Sequence, residues 1–316
     1  MLKKIVLATQ PLHPAAAKLF QENAEYRVAS SGDPAVVARE NKGVHAIAVR
    51  LSRVTAEVIE AADQLEVIGR NGVGLDNLDV SAATRRGIPI VYTATMSGTF
   101  PDVVIAKASS GITKPADLKG KRIGIPGRYG SSWIMLQALL KSAGLTTSDV
   151  KIVEYPDFGQ AAALQQGAVD AATGFLNNEP IVLKNAGIDT VVLAVDAVTP
   201  LQGPGLVTST ATLKAKHGAL AAFTKATLQA MDDITADPQK GLDATFAEVP
   251  TLAQDKPLQA QILAATIATW KNTRTNAPYG AIDLAGWQKS LDFMTSLGLV
   301  PNPVTVAQLT DPSLLP

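Results

Sequence analysis

Short apolar runs alternate with helical stretches along the first two thirds of this chain, and this alternation limits the folds that the chain can adopt. The first apolar runs lie at 3–8, 26–30, 45–49, 65–69 and 88–92, with helical stretches at 15–23, 34–41, 55–62 and 79–87 between them. Strands that are separated by helices predict right-handed crossovers and a parallel sheet. The first 92 residues therefore predict a flavodoxin-like sheet with the strand order 2-1-3-4-5.

A second alternating series follows, and a helical region then replaces it. The predicted strands lie at 121–126, 151–155, 170–175 and 190–195, with helices at 131–142, 158–167 and 178–187. From Leu213 to Leu297, apolar residues recur every three or four positions, which is typical of helices that pack on an apolar surface. The pattern predicts an α/β protein with a second small parallel sheet and a helical C-terminal part.

Composition excludes several classes of function. Lys plus Arg number 28, as do Asp plus Glu, so nothing indicates the basic surface that a nucleic-acid-binding protein needs. The chain has no cysteine, which excludes disulfides and thiolate chemistry. The histidines His13, His45 and His217 form no cluster with the spacing of metal ligands, so we expect neither a metal site nor a cofactor.

The segment NGVGLDNLDVSAATRRGIPIVYT (71–93) begins like a dinucleotide-binding fingerprint, but Asn77 stands in place of the third glycine. The predicted helix begins only near Asp79, too late for its N-terminus to meet a pyrophosphate. The segment instead resembles the substrate-side domain of D-2-hydroxyacid dehydrogenases of the phosphoglycerate type, and this resemblance covers about residues 1–95.

The dehydrogenase resemblance implies a vestigial substrate loop, formed by Arg50 and the backbone of Asn71, Gly72 and Val73. Hydride transfer in that family needs a nucleotide-binding domain, and nothing after residue 95 resembles one. We therefore expect no dehydrogenase activity.

A glycine-rich turn, PGRYGSSW (126–133), leads directly into a predicted helix. Free amide groups, the helix dipole and the hydroxyls of Ser131 and Ser132 would suit a polar ligand, and Tyr129 and Trp133 offer flat faces for a ring. A plain strand–turn–helix with Ser131 as N-cap and Trp133 in the core remains the alternative. The turn is not a P-loop, because no Gly-Lys-Ser/Thr follows the glycines.

The stretches SSGITKPADLKGKRIGIPG (109–127) and FLNNEP (175–180) resemble solute-binding proteins of ABC importers for thiamine-precursor pyrimidines, riboflavin and sulfonates. This resemblance covers about residues 98–316. It implies ligand contacts in a cleft between two lobes, at Tyr129, Gly130, Ser131, Ser132, Trp133, Asn177, Asn178 and Glu179. For Glu179, a carboxylate that only stabilises a helix start remains an alternative.

The two resemblances together predict a chimera of engineered origin, joined near Ala94–Gly98. The expected fold is α/β and bilobed, of the type II periplasmic-binding-protein kind, with a flavodoxin-like parallel sheet forming most of lobe 1. Lobe 1 would comprise 1–108 and 205–316, and lobe 2 would comprise 109–204, with hinge crossings near 104–120 and 196–208.

A foreign fragment in place of one cleft wall leads us to expect no catalytic activity and the loss of native ligand binding. The alternatives are residual binding of a small aromatic or pyrimidine-like solute and, second, dehydrogenase activity. We expect no nucleic acid, membrane insertion or engaged transporter as partner, and a monomer or weak self-association. The apolar run after MLKK is too short for a signal peptide, which predicts a cytoplasmic chain, whereas the receptor parent would be periplasmic or lipid-anchored.

Overall fold

The chain folds into two compact units, as a computed structural model of it shows. The model describes residues 3–12, 14–49, 52–70, 78, 79, 82, 90–156, 158–199, 201–272, 275–300 and 303–316. The first unit comprises the described residues up to Val91 together with Thr208–His217, and the second comprises those of Tyr92–Val207 and Gly218–Pro316. The predicted lobe boundaries follow the receptor architecture rather than this grouping, and they stay a prediction.

The first unit contains a parallel four-stranded sheet. Its strands are β1 (Ile5–Ala8), β2 (Glu25–Val28), β3 (Ala46–Val49) and β4 (Val67–Arg70), in the order β2-β1-β3-β4. Its helices are α1 (Pro14–Asn23), α2 (Pro34–Glu40) and α3 (Ala56–Ala61). The Thr55 hydroxyl accepts a hydrogen bond from the Val58 amide and caps α3, at the start of the helix predicted at 55–62. The α/β class and the first four positions of the strand order are confirmed.

The predicted fifth strand does not extend this sheet. It forms β5 (Ile90–Thr95), which pairs with β11 (Gly205–Ser209) in a separate two-stranded sheet, so the fifth position of the predicted order is wrong. An apolar run shows that a strand is buried, but not which neighbour satisfies its backbone hydrogen bonds. The segment 71–77, which includes the predicted substrate-loop residues Asn71, Gly72 and Val73, lies outside the described residues, as does most of the predicted helix at 79–87.

The second unit is built on a mixed five-stranded sheet. Its strands are β6 (Asp102–Lys107), β7 (Arg122–Ile125), β8 (Lys151–Glu154), β9 (Ala171–Phe175) and β10 (Thr190–Ala194), in the order β10-β6-β9-β7-β8. Strand β7 runs parallel to β8 and β9, whereas β6 runs antiparallel to β9 and β10. The prediction of an all-parallel second sheet is therefore wrong, because it omitted β6. That strand overlaps the stretch predicted as a hinge crossing at 104–120.

Helices cover both faces of this sheet. On one face, α4 (Gly130–Ser142) packs Leu136 and Leu139 against Val104. On the other face, α5 (Gln160–Gln166) and α6 (Glu179–Asn185) pack Leu164 and Leu183 against the side of β6 that carries Val103 and Ile105. Since side chains alternate along a strand, a strand covered on both faces is apolar throughout, as β6 is from Val103 to Ala106.

The C-terminal part is helical, as the periodicity from Leu213 to Leu297 predicts. Its helices are α7 (Thr210–Ala215), α8 (His217–Ala236), α9 (Pro238–Glu248), α10 (Lys256–Trp270), α11 (Leu284–Ser296) and α12 (Val306–Leu309). In the part of the chain that the structure describes, no helix has both the length and the apolar character needed to cross a membrane.

Candidate functional site

The candidate site lies at one edge of the second unit's sheet. Strands β7, β8 and β9 are parallel, so their carboxyl ends meet at this edge, and α4, α5 and α6 begin just beyond them. Because β6 is antiparallel to β9, its first residue, Asp102, also lies here, opposite Phe175 in the ladder. Open α/β sheets commonly bind ligands beyond the carboxyl ends of their parallel strands.

The turn after β7 starts helix α4 one residue earlier than predicted. Tyr129 is the N-cap residue, in an extended conformation, and its side chain makes no capping hydrogen bond. Gly130 adopts a positive φ of 69° and opens the helix. Ser131 therefore lies inside the first turn, and the alternative that made it the N-cap is wrong.

Ser132 is buried and binds a carboxyl group that sequence analysis did not single out. Its Oγ donates a hydrogen bond to Asp102 Oδ1 at 2.8 Å. Asp102 is 1% exposed, and its Oδ2 has no hydrogen-bond partner among the described residues. A polar residue that opens an otherwise apolar strand was the available signal, but its partner lies 30 residues away in sequence.

Burial raises the pKa of Asp102 to about 6, because desolvation disfavours the charged carboxylate. The hydroxyls of Ser132 and Ser131 act in the opposite direction, and the negative charge of Glu179 raises the pKa further. A carboxyl group with this pKa changes its charge close to neutral pH, and shifted groups of this kind occur often at functional sites.

Glu179 is the first residue of α6 and folds back onto the strand before it. Its Oε2 accepts a hydrogen bond from the Phe175 amide at 2.6 Å. Its carboxyl lies against β9, since a Cβ added at Gly174 would stand 3.0 Å from its Cδ and Oε2. Burial raises the pKa of Glu179 above its ordinary value, and the Phe175 amide opposes this rise. Its position at the helix start fits the alternative role, and its burial beside Asp102 also fits a ligand contact.

The two asparagines before Glu179 have different surroundings. Asn177 is half-buried, and its Nδ2 donates a hydrogen bond to Thr266 Oγ1 at 3.0 Å, which ties this loop to α10. Asn178 is exposed and is the N-cap residue of α6, without a side-chain capping bond.

Aromatic rings lie at the same turn as the serines. Trp133 is half-buried and packs against the core, as the alternative interpretation expects, but it also keeps part of its surface exposed. The Arg128 guanidinium lies 5.7 Å from the Trp133 ring centroid, and its Nε donates a hydrogen bond to Glu154 Oε1 at 3.0 Å. A side chain at Gly127 would occupy the space of the Tyr129 ring. Tyr129, Gly130, Ser131, Ser132 and Trp133 thus lie together at the start of α4, with Ser132 buried.

Phe158, on the loop between β8 and α5, belongs to this edge and was also missed. Its ring is 58% exposed and its backbone φ is 62°, a conformation that L-residues other than Asn and Asp rarely adopt. The sequence carries no signal for this backbone angle.

The remaining predicted site residues, Arg50, Asn71, Gly72 and Val73, lie outside the described residues. Within the described ranges, no three His, Cys, Asp or Glu side chains are grouped so that they could hold a metal ion.

Two known proteins are similar in sequence to shares of this chain that differ in size. The riboflavin-binding protein RibY of Chloroflexus aurantiacus is 32% identical over 232 residues, which cover 72% of this chain and 66% of RibY. A D-3-phosphoglycerate dehydrogenase of Methanocaldococcus jannaschii is 44% identical over 87 residues, which cover 27% of this chain and 17% of the dehydrogenase. The chain thus spans slightly less than two thirds of RibY and a small part of the dehydrogenase.

The fold matches that of solved solute-binding proteins. The alkanesulfonate-binding protein SsuA of Xanthomonas axonopodis pv. citri, in a structure bound to MOPS, superposes with a TM-score of 0.55 at 18% identity over 98% of each chain. The model of the NMT1/THI5-like family matches residues 60–241, more than half of the chain. Sequence and fold agree, and the chain belongs to the NMT1/THI5-like family.

Proposed function

We propose that this chain is a solute-binding protein of the ABC-importer type, and that its ligand contacts the carboxyl edge of the second unit's sheet. The observation that carries the proposal is the buried hydrogen bond between Ser132 and Asp102 at the start of α4, beside Glu179. A buried carboxyl group is costly for stability, and carboxyl groups with shifted pKa values cluster at functional sites, which supports a ligand site here.

Each predicted contact has a role in this proposal. The backbone of Gly130 and the hydroxyls of Ser131 and Ser132 meet polar atoms of the ligand, and the rings of Tyr129 and Trp133 contact its flat face. Asn178 and Glu179 approach from α6, and Asn177 positions their loop through Thr266. The ligand class that fits these groups is a small, flat, polar heterocycle.

The relatives support this ligand class without assigning it. RibY is named as a riboflavin-binding protein, and riboflavin carries a flat ring with polar edges. SsuA, in contrast, is named as an alkanesulfonate-binding protein, so the shared fold alone leaves the ligand open.

A second candidate is a composite chain that has lost ligand binding. The observation that favours it is the 44% identity of 87 residues to the dehydrogenase, although the family match begins at residue 60. In this candidate, a dehydrogenase fragment over about residues 1–95, introduced by engineering, replaces the first half-lobe and with it one wall of the cleft. Hydride transfer is not part of either candidate.

Ligand-dependent melting separates the two candidates. The intact chain is melted with increasing riboflavin, 4-amino-5-hydroxymethyl-2-methylpyrimidine or ethanesulfonate, because a ligand that binds only the folded state raises the melting temperature by mass action. We expect a concentration-dependent rise with a ring ligand. A cooperative melt that no ligand shifts would contradict solute binding and favour the composite scaffold.

Two matched variants test whether the ligand binds at the start of α4. Ser132→Ala removes the hydroxyl at the start of α4 and should weaken binding about tenfold, the loss expected for one hydrogen bond of ordinary strength. Ser142→Ala makes the same change at the exposed far end of α4, where the hydroxyl donates a hydrogen bond to Leu139 O, and should leave the affinity unchanged. Equal affinities in both variants would contradict the placement.

A further inference from the structure

Two carboxyl groups with raised pKa values stand side by side at the candidate site. Asp102 opens β6, and Glu179 opens α6 while bonded to the amide of Phe175, which is the cross-strand partner of Asp102. The pKa of each carboxyl group is raised chiefly by burial, and no lysine or arginine is among the groups that lower either pKa. The buried Asp102 and the half-buried Glu179 therefore have no neutralising cation among the residues that the structure describes.

The other charged groups at this edge do not neutralise the pair. Arg128 bonds Glu154 and lies over the Trp133 ring. Asp196, which follows β10, accepts a hydrogen bond from the Phe100 amide and adds a further acidic group. The groups that face Asp102 from α4 are the uncharged Ser131 and Ser132.

The two carboxyl groups also lie at the helix starts of this edge. A helix N-terminus favours an anion through its free amide groups and dipole. Glu179 is the first residue of α6, and Asp102 accepts a hydrogen bond from the side chain of Ser132 in the first turn of α4. An anionic ligand that approached either helix start would therefore meet a carboxyl group beside it.

One carboxyl oxygen of Asp102 is the acceptor that a ligand's donor can use. Oδ1 accepts the hydrogen bond of Ser132, whereas Oδ2 is buried and has no hydrogen-bond partner among the described residues, although the Ser131 hydroxyl lies near enough to lower the pKa of the group. A ligand amino, imino or hydroxyl group can supply this bond, whereas a sulfonate or carboxylate offers only acceptors.

We propose that Asp102 and Glu179 form a selectivity pair that favours uncharged or cationic ligands with hydrogen-bond donors and disfavours anions. This inference rests on the proposed function and narrows its ligand class. The two carboxyl groups attract a donor-bearing heterocycle, and they repel a sulfonate as long as they are ionised.

Titration calorimetry of the intact chain with two probes of constant charge tests the inference. The probes are riboflavin, which is uncharged and carries donors, and ethanesulfonate, which is anionic. Asp102→Asn and Glu179→Gln should each lower the affinity for riboflavin and raise the affinity for ethanesulfonate. We expect a change of about tenfold in each case, which is the size of one charge or hydrogen-bond contribution. Asp243→Asn, an equal charge change at an exposed position of α9, should alter neither affinity.

The pH dependence of the unaltered chain gives a readout that needs no variant. As the pH falls from 7.5 to 5, Asp102 gains a proton, so the ethanesulfonate affinity should rise and the riboflavin affinity should fall. Riboflavin affinity that both carboxyl variants leave unchanged, or ethanesulfonate that binds more tightly than riboflavin at pH 7.5, would overturn the inference while solute binding stands. Binding of neither probe would overturn the inference and solute binding together.

Discussion

Phe158 holds its backbone in the left-handed region while the residue stays 58% exposed, so only partial burial of apolar surface offsets the strain. Asn tolerates this backbone region better than Phe. Phe158→Asn should therefore raise the free energy of unfolding by about 1 kcal/mol, as urea denaturation measures. If the ring contacts the ligand, the same variant binds a ring ligand more weakly.

For Phe158→Asn, the free energy of unfolding is expected to rise, and the ligand affinity is expected to fall if the ring contacts the ligand. Measuring both therefore distinguishes a role in ligand binding from a role in packing. A variant that is more stable and binds equally well would show that the strained conformation serves no ligand. A variant that is less stable would show that the exposed ring makes packing contacts that outweigh the strain.

The raised pKa of Asp102 implies that the stability of the second unit depends on pH. Its pKa is raised from 3.8 to about 6 by burial, so the folded state binds the proton more tightly than the unfolded state. Stability should therefore fall as the pH rises from about 4 to about 6, by on the order of 3 kcal/mol, since each pKa unit is worth about 1.4 kcal/mol. The full stabilising contribution is present below the unfolded pKa and is lost as the pH passes the folded pKa.

Asp102→Asn should remove this part of the pH dependence and make the chain at least as stable as the unaltered one at pH 7. Glu179, whose pKa is raised in the same direction, keeps its own contribution in the variant. Denaturation at a series of pH values measures both slopes, with Asp243→Asn as the control. An unchanged slope in Asp102→Asn would contradict the assignment of the raised pKa to Asp102.

At the scale of the elements, Gly174 shows how closely α6 approaches β9. A Cβ at this position would stand 2.8 Å from Ile105 Cδ1 and 3.0 Å from the Glu179 carboxyl. Gly174→Ala should destabilise the chain by about 1–3 kcal/mol, as expected for overpacking, and should displace Glu179 and weaken ligand binding. Chemical denaturation and calorimetry measure the two effects.

Gly69→Ala is the matched control, because Gly69 also lies in a strand but is exposed, and its added Cβ would meet only Ile47 O at 4.0 Å. This variant should be neutral or slightly stabilising. Equal losses of stability in the two variants would show that the close approach at Gly174 is not the cause.

The elements also show what the sequence could predict. The helix at the glycine-rich turn and the alternating strands around it carry clear local signals, so α4, β7, β8 and β9 are found close to their predicted positions. Strand β6 was missed because the stretch 104–120, which contains most of it, was predicted as a hinge crossing. Ser132 was predicted as a site residue, but Asp102 was not, since their contact depends on the pairing of β6 with β9.

At the scale of the whole molecule, the boundary between the two units falls at Val91–Tyr92, close to the change in resemblance predicted at Ala94–Gly98. The chain after this point is held by the second unit, where the Gly98 and Thr99 amides donate hydrogen bonds to Trp270 O and Thr269 O. Local patterns predicted the four strands of the first sheet and four of the five strands of the second. The direction of β6, the partner of β5 and the placement of the C-terminal helices depend on long-range packing that no local pattern encodes.

Hydrogen exchange with and without a ring ligand tests the central claim most directly, because it reports where a ligand protects the backbone. The unaltered chain is compared alone and with saturating riboflavin. We predict slower exchange at 127–133 and 174–180, at the starts of α4 and α6. Binding that protects neither segment would contradict a ligand site at this edge of the sheet, and so would unchanged exchange along the whole chain in the presence of riboflavin.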